Sequence, residues 1–431
     1  MLCLRTLCLT IGECNTVYCS FAGFGGAFTD AGGYVFSTLN KDLQNQVLEA
    51  YFGATGNHYT LCRTHIASCD FSLESYTYAP TPGDYQMMNF SLDPDRKHLM
   101  PFIKAAHKHT VNPIKMFASP WSPPPWMKIN QQFDGSAKPY GLLDAPRMHQ
   151  AYAKYISTYL SAYKREGIDF WGMTIQNEPE FAPPWEGCCY RPSDMLAHLR
   201  DYLSPVMKKH HPNVKIMIYD HNKDHVADWV DAFFNTSLPS EIRDLAHGTA
   251  FHWYSGPQFE NLAKAHEIAP DKFLLATEAC NCPGVIYDDW PRGENYGNDI
   301  IGDLNNWSVG WVDWNMILNP IGGPNHLNGY CDSPIVGDAS AQTIHFQPPY
   351  FYMGHFSRFI LPGYKRINQK ISNGSPLLVT AFTDGILQNK NVVVVMNPTD
   401  NTHDFALTYA GQWTGYTMLP HSIVTLSWKD Q

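Results

Sequence analysis

With 431 residues, 44% hydrophobic and 14% aromatic, the chain is long enough to bury a large core and exceeds the usual size of one domain. A formal net charge of −10 without clustered Lys or Arg disfavours nucleic acid as a partner, since phosphate binding draws on concentrated positive charge. No run of eighteen apolar residues occurs, so no segment reads as a transmembrane helix.

The first eleven residues, Met1-Leu-Cys-Leu-Arg-Thr-Leu-Cys-Leu-Thr-Ile11, have the apolar character of a signal peptide but no convincing basic start or small-residue cleavage site, and they read equally as a strand. Strands are then predicted over 17–24, 58–63 with a continuation through Ile66, 114–118, 170–176, 214–219, 248–254, 273–277 and 308–314. Helical periodicity falls between them, over 39–52, 95–109, 147–166, 194–211, 223–235, 259–266 and 296–305. Eight strands alternating with helices predict a (β/α)8 TIM barrel over 17–362. After Pro362 the rhythm changes to strands over 377–383, 391–397, 403–409 and 422–428, separated by Gly, Asn, Asp and Pro turns. They predict a β-sandwich-like side domain over 363–431, to which residues 1–16 contribute a strand.

Local signals agree with several of these boundaries. Ser193 stands at the expected N-cap of the 194–211 helix, and Pro146 where a first helical turn tolerates proline. The long loop from Ser119 to Pro146 carries Pro120-Trp-Ser-Pro-Pro-Pro-Trp126, and loops of that length in compact domains are usually functional. Eleven cysteines are too scattered for a disulfide scaffold, and Cys280-Asn-Cys282 and Cys188-Cys189 lack the spacing of a zinc site, so no structural metal and no cofactor are expected. Sequons occur at Asn89, Asn235, Asn306 and Asn373.

Two glutamates carry the functional argument. Glu178 follows Phe170-Trp-Gly-Met-Thr-Ile-Gln-Asn177, and Glu278 follows Phe273-Leu-Leu-Ala-Thr277. Either glutamate alone is an ordinary surface residue. As a pair, each just beyond a buried-strand pattern, they occupy the ends of barrel strands where catalytic groups sit. Two carboxylates facing one bond point to glycoside hydrolysis. Twelve Trp and 24 Tyr supply flat apolar faces that suit sugar rings, although most such residues fill core. Arg63, in a strand apolar enough to face inward, requires a carboxylate partner and reads as a residue orienting the site. Cys280 has no base nearby in sequence and reads as a packed cysteine rather than a nucleophile.

Seven ordered blocks between residues 23 and 366 then carry a likeness: Gly23-Phe-Gly-Gly-Ala-Phe-Thr-Asp30; Ala67-Ser-Cys-Asp-Phe-Ser72 with Tyr76-Thr-Tyr78; Ala118-Ser-Pro-Trp-Ser122; Gln176-Asn-Glu-Pro179; Phe251-His-Trp-Tyr254; Ala276-Thr-Glu-Ala-Cys280; and Gly310-Trp-Val-Asp-Trp-Asn315. The chain resembles glycoside hydrolase family thirty, most closely its lysosomal glucosylceramidase branch. The resemblance implies Glu178 as acid/base and Glu278 as nucleophile. It also implies Asp30, Trp121, Asn177 and Trp314 as sugar-contacting residues, His252 and Tyr254 as pocket residues, and Asn328 as a further one.

The implied activity is retaining hydrolysis of glucosylceramide or a related β-glucoside, with a glycolipid substrate, peripheral contact with a lipid surface, and a lysosomal or secreted location. The alternatives are a β-1,6-glucanase or xylosidase of the same family, or a non-catalytic carbohydrate-binding barrel. Relatives begin with a longer segment before the Gly23 block, which leaves the side domain expected to lack part of its N-terminal contribution.

Overall fold

A computed structural model of the protein describes residues 7–11, 20–136, 141–372, 374–385 and 390–430. Residues 17–19 of the first predicted strand and the sequon residue Asn373 lie outside them. Eight parallel strands close into a barrel: β1 (Gly23–Phe28), β2 (Leu61–Ile66), β3 (Lys115–Pro120), β4 (Phe170–Thr174), β5 (Lys215–Asn222), β6 (Gly248–His252), β7 (Phe273–Glu278) and β8 (Ser308–Asn315). Parallel strands covered by helices are buried on both faces, and β1, β2, β6 and β8 are buried at every position. Leu61, Phe117, Met217, Ala250, Leu275 and Val312 fill the barrel interior, so it is a packed core and not a pore. A larger apolar layer lies between the strands and the surrounding helices.

The first strand corrects the sequence reading, which placed it at 17–24. Gly23–Phe28 is itself β1, paired with β2 and β8. Glycine has low strand propensity, but a Cβ on Gly25 would stand 1.8 Å from the Leu61 carbonyl oxygen, so only glycine fits this close approach. The helix Asp30–Thr38 follows at once, capped by the Thr29 side chain accepting from Gly32 N. The predicted N-cap at Ser193 is also corrected: the helix starts at Pro192, which pre-sets the first turn, and Arg191 stands at the cap position with its guanidinium on Asp194. Pro146 opens the helix Pro146–Arg165. The helix Pro348–Ser357 lay outside every predicted helix; it is apolar nearly all round and mostly buried.

Beyond the barrel, two four-stranded sheets enclose a second small core that includes Val379, Val393, Val395, Phe405 and Leu407. Leu7–Ile11 joins one of these sheets between Gln369–Ile371 and His403–Tyr409. The outer strand of that sheet, Gln412–Met418, is exposed at every residue but the last, including Trp413. Asn305, at the end of a barrel helix, donates to the Val379 carbonyl across the junction. Among the described residues no helix is long and apolar enough to cross a membrane.

Candidate active site

The carboxyl ends of the strands converge on a cavity of about 730 Å³. β2 supplies Arg63, β5 Asp220 and His221, β6 His252, β7 Glu278 and β8 Trp314; Trp121 follows β3, and Asn177 and Glu178 follow β4. Glu178, Glu278, Asn177, Trp121, Tyr254 and Trp314 all line the cavity.

Arg63 is fully buried and organises this end of the barrel. Its Nη1 donates to Glu278 Oε2 at 2.5 Å, and its Nη2 donates to Asn177 Oδ1 at 2.9 Å and Asp220 Oδ2 at 2.8 Å. Its Nε donates to Ser119 Oγ at 3.1 Å. The planar guanidinium also lies over the Trp121 and Trp314 rings, which stack on one another with centroids 5.1 Å apart. A planar fork of five N–H donors suits this role, and a point-like ammonium does not. With Oδ1 taken by Arg63, Asn177 has its amide N–H to offer a ligand.

Asp220 was not singled out from sequence. It accepts from Arg63, from Thr174 Oγ1 at 2.6 Å and from Thr277 Oγ1 at 2.7 Å, and it pairs with His252 Nε2 at 3.0 Å. Burial opposes its charge, yet Arg63 and His252 hold the carboxyl well below its ordinary value. Tyr219 and Asp220 both have positive φ, at 72° and 63°, where the β5–β6 register slips by one residue. That bulge turns Asp220 toward Arg63 and His221 toward Glu178. The legible signal was an apolar strand pattern running into Asp-His-Asn at its carboxyl end.

The two glutamates have different partners. Glu278 accepts from Arg63 and from the Tyr254 hydroxyl at 2.9 Å. Glu178 Oε1 lies 3.4 Å from His252 Nδ1 and 3.8 Å from His221 Nδ1. Burial pushes the Glu278 carboxyl up, Glu178 adds to this, and His252, Arg63 and Tyr254 pull against it. At Glu178 burial also raises the carboxyl, but His252, His221 and Arg63 outweigh it and bring it below the ordinary value. His252 is pushed up to about 9: burial disfavours its charge, and the surrounding carboxylates Glu278, Asp220 and Glu178 overcome that cost. The carboxyls and His252 therefore share protons as one interacting group.

The remaining predicted residues divide. Asn328 lies on the cavity wall with positive φ and accepts from the Tyr330 hydroxyl at 2.7 Å. Asp30 does not line the cavity: its Oδ2 accepts from Leu73 N at 3.0 Å, and its backbone N–H meets His65 Nε2. Asp70 is a cavity carboxyl that sequence reasoning left unassigned; burial, then Glu278, Glu186 and Glu178, push it well up. Cys282 and Cys331 form a disulfide that ties the loop after β7 to the cavity-lining segment that carries Asn328 and Tyr330. The Cys280-Asn-Cys282 spacing gave no sign of that pairing. The Cys280 thiol, pushed up by burial, contacts the Tyr254 hydroxyl at 3.3 Å.

Residues 21–360 match the glycosyl hydrolase family 30 TIM-barrel domain. The chain is 37% identical to putative glucosylceramidase 3 of Caenorhabditis elegans over 95% of its own length and 80% of that protein. It is 35% identical to mouse lysosomal acid glucosylceramidase, over 95% of the chain and 81% of that enzyme. The crystal structure of SrfJ from Salmonella typhimurium superposes with a TM-score of 0.91 at 30% identity, covering 100% of this chain and 94% of that one.

Proposed function

The chain belongs to glycosyl hydrolase family 30 and is a glycoside hydrolase; from that premise we propose that it is a retaining β-glucosidase acting on glucosylceramide or a related β-glucoside, with Glu278 as nucleophile and Glu178 as acid/base. The observation that carries the assignment is the asymmetry of their partners. Glu278 faces Arg63, which cannot give up its charge, and the O–H of Tyr254, so both of its contacts favour a carboxylate. Glu178 faces only imidazoles; they keep its carboxyl below the ordinary value in the empty site, and His252 holds the proton that passes to Glu178 when Glu278 serves as the carboxylate.

Substrate enters with its glycosidic oxygen toward Glu178, and the cluster's proton is used there. Glu278 attacks the anomeric carbon, forming the glycosyl–enzyme bond as the bond to the leaving group breaks, while Glu178 gives that oxygen its proton. Glu178, now ionised, takes a proton from water, which attacks the anomeric carbon and releases Glu278. The Asn177 amide N–H serves a sugar hydroxyl next to the reacting carbon, and the Trp121–Trp314 wall packs against the ring.

A lipid leaving group is favoured by the mouth of the cavity, where Phe181 and Leu327 are 41% and 45% exposed beside Trp185 and Pro184. Those side chains also suit peripheral contact with a lipid surface, and the mouse relative supports a lysosomal or secreted location. Asp30 enters this reading as a residue holding the Leu73 loop beside the pocket.

The test is covalent trapping with a 2-deoxy-2-fluoro-glucoside followed by peptide mapping. An adduct on Glu278 is expected, and an adduct elsewhere overturns the assignment. Turnover of glucosylceramide against a β-1,6-glucan and an aryl xyloside decides the substrate; faster cleavage of either glycan refutes the lipid reading.

A further inference from the structure

Glu178 sits in a constellation that its role in turnover does not use up. Glu178, His221 and His252 each offer a ligand atom within 4.8 Å of the other two, and His221 Nδ1 and His252 Nδ1 lie 3.8 Å and 3.4 Å from Glu178 Oε1. Ligand atoms on a tetrahedral zinc ion, with bonds of about 2.0–2.1 Å, stand about 3.3 Å apart, so the three atoms need only small shifts to share one cation. Both imidazole Nδ1 atoms are buried with only the long contacts to Glu178 and no well-formed hydrogen bond, and His252 is fully buried. An unpartnered buried nitrogen carries a desolvation cost that a bound group would remove.

The outer contacts fit as well. His252 pairs through Nε2 with Asp220 Oδ1 at 3.0 Å. A ring whose Nε2–H is given to a carboxylate presents Nδ1 as a lone pair, the carboxylate–histidine–metal arrangement that orients metal ligands. Two imidazoles and one carboxylate, with an open side toward the cavity, select zinc-class divalent ions over magnesium or calcium, which prefer all-oxygen shells.

We propose that Glu178, His221 and His252 form an inhibitory site for a zinc-class divalent cation. The ion occupies the acid/base carboxylate, so occupancy and turnover exclude one another. The groups facing His252 are Glu178, Asp220 and Glu278, with Arg63 and His221 nearby, and their combined negative charge favours a cation at this point.

The experiment uses the full chain in a chelator-free buffer with an aryl β-glucoside. Zinc is expected to inhibit reversibly, with recovery on adding EDTA, while magnesium at the same concentration has no effect. His221→Asn should raise the half-inhibitory zinc concentration at least about tenfold, as lost metal-site contacts typically do. Cys280→Ser should leave that concentration within about twofold of wild type, because no sulfur is a ligand in this site. Absence of zinc inhibition, an unshifted value in His221→Asn, or its loss in Cys280→Ser overturns the proposal.

The inhibition readout rests on Glu178 acting as proposed above. X-ray absorption of the cobalt-loaded wild-type protein does not, and it also covers a variant that fails to fold. Nitrogen and oxygen neighbours only are expected; a sulfur shell near about 2.3 Å, or no specific binding, refutes the site while leaving the catalytic reading untouched.

Discussion

Arg63→Lys isolates geometry from charge. Arginine reaches Glu278, Asn177, Asp220 and Ser119 from three nitrogens of one plane, with the Thr277 carbonyl at 3.4 Å as a fifth partner. A lysine ammonium keeps the positive charge but cannot span two carboxylates and an amide spread around the edge of that plane. It retains one ionic contact and gives up about two charge-assisted bonds, each worth about 1.5–3 kcal/mol, of which water recovers part. A net loss of about 3 kcal/mol in transition-state stabilisation corresponds to about a hundredfold fall in kcat/KM. Steady-state hydrolysis of an aryl β-glucoside measures it, with the rate of inactivation by a fluorinated glucoside reporting the Glu278 step alone and thermal unfolding checking the fold. Both rates should fall together. A folded Arg63→Lys protein within about threefold of wild type would refute the view that the guanidinium's shape holds the nucleophile.

Glu178→Gln removes the proton donor, so hydrolysis of a lipid or alkyl glucoside should fall about 10²–10⁴-fold, while formation of the glycosyl–enzyme from a dinitrophenyl glucoside, which needs no protonation, stays near wild type. Equal losses for both leaving groups would exclude the acid role. His252 bears on stability. Its proton affinity is raised from 6.5 to about 9, so the folded state holds the proton more tightly than the unfolded chain, and the resulting stability is complete below pH 6.5 and lost as pH rises through 9. A rise from 6.5 to about 9 amounts to about 3 kcal/mol, so the wild-type advantage over His252→Gln in denaturant unfolding should shrink by roughly that amount across this window. A gap that stays constant from pH 6 to 9.5 contradicts it. Gly25→Ala forces a Cβ to within 1.8 Å of the Leu61 carbonyl oxygen, a backbone atom held in the barrel ladder, and should cost more than about 4 kcal/mol or abolish soluble expression. A variant with near-native unfolding would show that the barrel can open there.

What could be read from the sequence followed from periodicity and position. Strands such as Phe273–Glu278 announce themselves because burial on both faces demands an unbroken apolar run, and the polar residue ending the run then stands at the rim. The same rule failed for Gly23–Phe28, where close packing replaced side chains with glycines and erased the strand signal. It stopped three residues short of the end of β5, because the apolar run ends at Tyr219 and the bulge that turns Asp220 inward depends on backbone torsions that composition does not record. Cys282–Cys331 was invisible for a different reason: it joins loops 49 residues apart whose proximity exists only once the barrel has closed.

Asp220 also explains why one glutamate and not two should be charged. Arg63 and the protonated His252 bring two positive charges into a region where burial penalises any imbalance. Asp220, held ionised by both, cancels one of them. The remaining charge is balanced when a single carboxylate exists between Glu178 and Glu278, which is the state a retaining hydrolysis starts from. Asp220→Asn keeps an oxygen for either the His252 contact at Oδ1 or the Arg63 contact at Oδ2 and removes that cancelling charge. Either a second glutamate then ionises or His252 releases its proton, and both events take a proton from the cluster at a lower pH than in the wild type. The alkaline limb of the kcat/KM profile for an aryl β-glucoside should therefore move down by about one pH unit or more, beyond any uniform loss of rate. An alkaline limb that keeps its wild-type position would mean that Asp220 orients its neighbours without setting the protonation of the glutamate pair.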